Sequence, residues 1–156
     1  MNHTKSIYYP PGGILIWIII YLELITFGMA ILALAYYGSE ERDLFHSSSL
    51  KLNKTIGTIN TILLLTSGFF VAKGIHFFKA TNIKKTLFYF NCAMLGGFGF
   101  LVLKSFEYYE KLQAGLHMDY NSFFRFYWLL TGFHFIHVLV GLVILLVITF
   151  SIKKKQ

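Results

Sequence analysis

One cysteine, Cys92, stands in the whole 156-residue sequence, inside an apolar stretch. With no second thiol to pair with, an intramolecular disulfide, a CxxC redox pair and a cysteine-based zinc site are excluded. Quinone-linked thiol oxidoreductases of similar size go with them. Charge is scarce as well: Asp, Glu, Lys and Arg make up 13% of residues, against 56% hydrophobic and 19% aromatic, where soluble domains carry about 25% charged residues. That balance excludes an ordinary soluble fold and indicates an integral membrane protein. The sequence also lacks a phosphate-binding glycine loop, a nucleophile–base pair and a cluster of carboxylates, so catalysis by this chain alone is not expected. It shows no internal repeat or low-complexity segment, and residues 1–156 read as a single membrane domain. The formal charge of +7 would suit nucleic acid, but the lysines lie at the ends of apolar runs and form no basic, aromatic-interleaved surface. No nucleic-acid partner is expected.

What is present is a series of four apolar runs. Pro10-Pro11-Gly12-Gly13 cannot continue a helix backwards and sets the start of the first. The predicted spans are 14–37, 55–78, 86–106 and 124–150, each long enough as a helix to cross the ~30 Å hydrocarbon core. The first is longer than a signal-peptide core and no small-x-small cleavage pattern follows it, so it is expected to be retained. Residues 38–54 read as a solvated loop of mixed charge. Small residues four apart, Gly57 with Thr61 and Gly68 with Ala72, suit close helix approach, as do Gly96-Gly97-x-Gly99 and Thr131-Gly132. With four spans, the N-terminus, the 79–85 turn and the C-terminus share one face. That face carries Lys5, Lys79, Lys84, Lys85, Lys153, Lys154 and Lys155 and no acid. The positive-inside rule therefore predicts an all-α bundle with both termini cytoplasmic.

Few polar residues fall inside the spans. Glu23 is the only acid well within one, about nine residues or ~13 Å from the cytoplasmic start of its helix. An intramembrane carboxylate marks a functional position or a hydrogen-bonded tie within the bundle. His134 and His137, three apart, share nearly one face of the fourth span, and that face is expected to look into the bundle. A bis-histidine haem is disfavoured, because the only other span histidine, His76, sits near the cytoplasmic end while His134 and His137 lie ~24 and ~20 Å deep. A lone histidine pair without carboxylate or thiolate company is also weak as a metal site. By depth, His137 is the nearer partner for Glu23. Desolvation favours a neutral pair sharing one hydrogen bond. At the opposite membrane face Lys104, Glu107 and Lys111 are spaced to continue a charged, solvated helix face, and Lys73 and Lys104 are expected to snorkel to the interface. A small proton-coupled four-span transporter using Glu23 is the alternative these residues leave open.

Taken together, PGG-x3-W at 11–17, the Glu23 span, GTINTILLLTSGFFVAKGIHFF at 57–78, LKSFEYYEKLQAG at 103–115 and FFRFYWLLTGFHFIHVLVGL at 123–142 resemble subunit III of haem-copper oxidases. The series looks closest to the short, NorE-type form associated with nitric oxide reductase. The resemblance implies a non-catalytic accessory subunit of nitric oxide reductase or a cytochrome c oxidase, in the bacterial inner membrane. Such a subunit binds no haem or metal of its own and lies beside a catalytic subunit that carries them, with bound phospholipid among the family's associations. In that family Glu23 corresponds to a carbodiimide-reactive carboxylate, and Glu107, His134 and His137 match motif positions. Longer members carry a further helix with a Tyr-Trp-His-x-x-Asp-like motif that has no counterpart within these residues.

Overall fold

The computed structural model describes residues 14–154. The Pro10-Pro11-Gly12-Gly13 start signal, Lys5 and Lys155 lie outside the described residues. Five helices follow in order: α1 (Ile14–Glu40), α2 (Arg42–Ser49), α3 (Lys54–Lys79), α4 (Ile83–Gln113) and α5 (Ser122–Lys154). Four helical stretches, Ile20–Glu40 of α1 together with α3, α4 and α5, are long and apolar enough to cross a membrane.

Asparagine sets where three of these helices begin. Asn53 accepts from the Thr55 and Ile56 amides, Asn82 from the Lys85 amide and Asn121 from the Phe124 amide. Each satisfies donors that the first helical turn leaves unpaired. The helices therefore start at the caps, ahead of the apolar runs, and α4 and α5 also continue several residues beyond the spans expected from hydropathy. Residues 38–54 differ more: the expected loop contains α2, whose Phe45 ring packs 5.4 Å from Phe123 and against Gly38. Ser48 is buried there and its hydroxyl accepts from the Asn121 amide group at 2.9 Å. These contacts from another helix stabilise eight residues too short to hold a helix alone.

The four expected membrane-spanning helices are present, and in space they form an open row in the order α3, α4, α5, α1. Among the described residues no Cα of α1 lies within 8 Å of one in α3 or α4, and α1 packs against α5 and α2. The reason is chemical. Lipid chains are as apolar as leucine, so helices in a membrane associate through close backbone packing and polar ties. The most extensive contact, α3 with α4, has both. A Cβ added to Gly96 would stand 3.4 Å from the Leu63 carbonyl oxygen and 3.2 Å from the Ser67 Cβ. At that separation the Ser67 hydroxyl reaches across to donate to the Ala93 carbonyl at 2.8 Å. Gly97 faces the other neighbour, α5, where an added Cβ would meet Leu142 at 2.8 Å. The glycines of the other small-residue spacings expected from the sequence play no such part. Gly57, Gly68 and Gly132 have no atom within 4 Å of an added Cβ, so these glycines face open space within this chain.

The Gly97→Leu variant is expected to separate α5 from α4 and lower the yield of folded protein, whereas Gly99→Ala, whose new methyl would meet only Leu63 at 3.8 Å, leaves it unchanged. Yields and unfolding in detergent check this, and equal behaviour of the two variants would show that Gly97 does not control the contact.

Candidate functional site

The polar side chains within the helices gather at two levels. At the first, Glu23 of α1 and His137 of α5 meet, with Glu23 Oε1 2.5 Å from His137 Nε2. Helical rise left about 6 Å between them, and the side chains close it. The other ring nitrogen of His137, Nδ1, lies 3.2 Å from the Phe133 carbonyl one turn earlier. If it is the protonated nitrogen, Nε2 is the acceptor, and the Glu23 carboxyl supplies the proton of the short bond. The pair is no sealed core site: the side chains of His137 and Glu23 remain 28% and 36% exposed, on the seam of two helices. Interhelical bonds of this kind contribute about 0.6 kcal/mol on average and up to ~1.7, a significant amount for a helix with so few other contacts.

His134 does not enter an enclosed interior as expected. It is exposed, and its ring presents edges to Phe27 of α1 at 6.0 Å and Phe100 of α4 at 5.7 Å. His134 thus stands on α5 between α1 and α4, with Phe27 on one side and Phe100 on the other. Beside it an apolar groove of about 340 Å³ runs between α3 and α5, lined by Ser67, Val71, Gly97, Gly141 and Leu145 among others.

The second level is at the far ends of α4 and α5. Lys104 donates to Glu107 Oε2 at 2.8 Å and to the Tyr127 hydroxyl at 3.2 Å, and that hydroxyl donates to Glu107 Oε1 at 2.6 Å. Lys104 and Glu107 are 8% and 4% exposed, which corrects the expectation of a solvated face with a snorkelling Lys104. The physical cause is Tyr127 on α5, which covers the pair and completes its hydrogen bonds. Lys104 also lies 5.2 Å from the Tyr108 ring and 5.0 Å from that of Tyr127, a favourable site for a desolvated cation. Lys111 does not pair with Glu107; it turns to the Lys51 carbonyl. Around this centre Tyr108 donates to Thr131 at 3.0 Å and Trp128 to the Leu116 carbonyl at 2.9 Å.

Reading the sequence singled out Glu23, His134, His137 and Glu107 but missed Tyr127, Tyr108 and Trp128. The available signal was helical spacing: Phe124, Tyr127, Thr131 and His134 recur at three and four residues and share a face of α5. Asn60 of α3 is buried with its side-chain oxygen unpaired, while Lys73 is exposed, beside Phe69. Among the described residues no three His, Cys, Asp or Glu side chains converge as metal ligands would. What the arrangement does chemically is to tie helices together across a membrane-spanning scaffold, with one acid–imidazole pair able to exchange a proton.

A family model described as cytochrome c oxidase subunit III matches residues 51–156, which contain α3, α4, α5 and the whole Lys104 centre. The chain belongs to the cytochrome c oxidase subunit III family. It is 29% identical over 130 residues to the heme-copper oxidase subunit I+III of Aeropyrum pernix, covering 80% of this chain and 16% of that protein. To the cytochrome bo(3) ubiquinol oxidase subunit 3 of Buchnera aphidicola it is 26% identical over 145 residues, 89% of this chain and 67% of the relative. A third similarity is to the cytochrome c oxidase subunit 3 of Bacillus sp. (strain PS3), 32% identical over 96 residues, 62% of this chain and 45% of the relative. Most of these relatives are thus considerably longer than the part this chain matches. In this chain the Lys104 centre is one of the ties between α4 and α5.

Removing one member of a buried ion pair leaves the other uncompensated, at about 3–5 kcal/mol, while replacing both by apolar groups is often neutral. Glu107→Leu alone is therefore expected to destabilise the protein strongly and Lys104→Met with Glu107→Leu to recover most of the loss, as measured by denaturation in detergent micelles; a double variant weaker than Glu107→Leu would show that the pair is not coupled in this way.

Proposed function

We propose that this chain is an accessory subunit of a respiratory haem-copper complex, with no catalytic site of its own, supporting assembly, stability or sustained turnover of the catalytic subunit. The match of residues 51–156 to the subunit III family is the observation that carries this reading. The relative from Aeropyrum pernix named subunit I+III supports a close association with a subunit of type I. The helices support it in physical terms: the row α3, α4, α5, α1 leaves large apolar side chains outward on every span, surface that lipid or another membrane protein must cover. Haem and metal belong to the partner in this reading. Glu23, His137 and His134 then serve the seam and open angle of α1 with α5, where the acid–imidazole pair holds α1 in position. The family match favours this reading over the transporter alternative.

The proposed setting is the bacterial inner membrane, with both termini in the cytoplasm. The basic 79–85 turn and the C-terminal lysines support this orientation, in contrast to the loops at the other face, where Glu40, Glu41, Asp43, Glu110 and Asp119 lie. Between the two family settings, nitric oxide reductase and cytochrome c oxidase, the residue patterns resemble the reductase-linked form and the curated relatives are oxidases.

Affinity purification of the tagged chain from its native membrane is expected to bring down a haem-containing partner, identified by its absorbance, and turnover of oxygen or nitric oxide by that complex assigns the setting. Repeated recovery of the chain alone, with the partner expressed, would count against the reading. Orientation has its own measurement: Ser47→Cys, at an exposed position beside the buried Ser48, should react with an impermeant thiol reagent added outside the cytoplasmic membrane and not with reagent confined to the cytoplasm.

A further inference from the structure

The inner face of α4 repeats regularly. Its buried residues include Phe90, Ala93, Gly97, Phe100, Lys104 and Glu107, which follow one another at alternating steps of three and four, an average of about 3.5 residues. A straight helix would drift about 20° per heptad from that period, so α4 winds around its neighbours in the left-handed sense and its outer face keeps the same repeat. Asn91, Leu95, Phe98, Val102, Ser105 and Tyr109 are all exposed, and they too alternate steps of four and three. The stripe runs ~27 Å along the helix, close to the ~30 Å of the hydrocarbon core.

Two shallow cavities lie along it. One of about 530 Å³ between α4 and α5 is bordered by Asn91, Leu95, Phe98 and Leu142, and one of about 510 Å³ by Phe98, Val102, Ser105 and Tyr109. Phe98 borders both, so together they form a recess nearly as long as the membrane is thick. A helix fills such a length.

Lipid chains would cover the apolar positions equally well, but Asn91 sets a further demand. Its amide has no hydrogen-bond partner among the described residues, and it lies five residues inside the expected start of the span at residue 86, ~7.5 Å into the apolar layer. Hydrocarbon supplies neither donor nor acceptor. The other polar members of the stripe make no such demand: the Ser105 hydroxyl donates to the Leu101 carbonyl at 2.8 Å, and Tyr109 lies past the expected end of the span at residue 106. An exposed amide at the depth of Asn91 is satisfied by another helix.

The chemistry of the amide indicates which helix. An asparagine side chain both donates and accepts, so two of them face to face bond reciprocally. Two copies of one chain inserted in the same direction bring their Asn91 residues to the same depth by symmetry, whereas an unrelated helix must supply a matching side chain at that level. No stripe position is charged, and Lys104 and Glu107 are buried on the inner face, so adjoining copies meet no like-charge repulsion along it. A single asparagine in a heptad seam also fixes register and the number of strands. We propose that the outer stripe of α4, from Asn91 to Tyr109, pairs in parallel with the same stripe of a second copy of this chain, the two Asn91 amides bonding each other across the two-fold axis. The contact is isologous and closes at two copies. It goes beyond the accessory-subunit reading and rests only on the long helices being membrane spans. The outward faces of α1 and α3 stay free for a haem-containing partner, so recovery or loss of that partner does not decide it.

The test uses the full chain in mild detergent, with the dimer measured by sedimentation equilibrium. Asn91→Leu removes the amide and keeps an apolar side chain of similar size, so it is expected to weaken the dimer about tenfold, the scale of interhelical hydrogen bonds in model helices. Asn91→Gln retains an amide and should recover most of the association. A second measurement needs no altered asparagine. In native membranes a photoreactive amino acid in place of Leu95, which is 71% exposed, should capture another copy of the chain, and one in place of Phe69, 56% exposed on α3, should not. A monomer at every concentration, a dimer unchanged by Asn91→Leu, or capture of a different protein or of lipid alone from the Leu95 position would each overturn the proposal.

Discussion

Helices surrounded by hydrocarbon gain little by pressing apolar side chains together, and this constraint determines where the chain is held. Large apolar residues such as Leu24, Leu32, Leu65, Leu95 and Phe150 point outward, while adhesion falls to a few points of another kind. One is a backbone contact, where Gly96 lets the Ser67 hydroxyl reach the Ala93 carbonyl. Another is a buried charge pair capped by a phenol, Lys104 with Glu107 and Tyr127. A third is the acid–imidazole bond of Glu23 and His137. In water each would be a minor addition to a large apolar core, and here they are the main directed contacts between helices.

How much of this can be read from residues depends on whether the deciding partner is near in sequence. Glu23 and His137 are 114 residues apart, yet their pairing is accessible, because helical rise converts position into depth and few polar residues compete at that level. The Lys104 centre is harder. Lys104 and Glu107 are close in sequence and easily matched as a pair, but their burial depends on Tyr127 arriving from α5, and a tyrosine near a membrane surface is more simply read as an anchor. The same limit applies to α2: its mixed charge gives the pattern of a loop, and only Phe45 on Phe123 and Ser48 on Asn121 make it a helix. Helix starts, in contrast, were written locally in Asn53, Asn82 and Asn121, which hydropathy overlooks because it weighs runs of residues and not single caps.

The glycine spacings show why composition alone does not locate a contact. Gly57, Gly68, Gly96 and Gly97 are equally able to admit a neighbour, but only the last two have one within this chain. A small residue permits close approach; what comes close depends on the topology. The open angle holding His134 is a matter of topology too, since among the described residues no Cα of α1 lies within 8 Å of one in α3 or α4.

The position of α1 has a consequence for the order in which the chain is made. As a nascent chain emerges, α3 and α4 can pair as soon as both have been inserted, because the turn between them is short and their contact is local. The first helix has no such opportunity. Its principal neighbour, α5, is synthesised after both of them, and until His137 arrives Glu23 resides in the bilayer without its partner. Synthesis therefore passes through a stage in which the α3–α4 hairpin is formed while α1 awaits α5, and arrival of α5 both closes that stage and joins α1 to the hairpin.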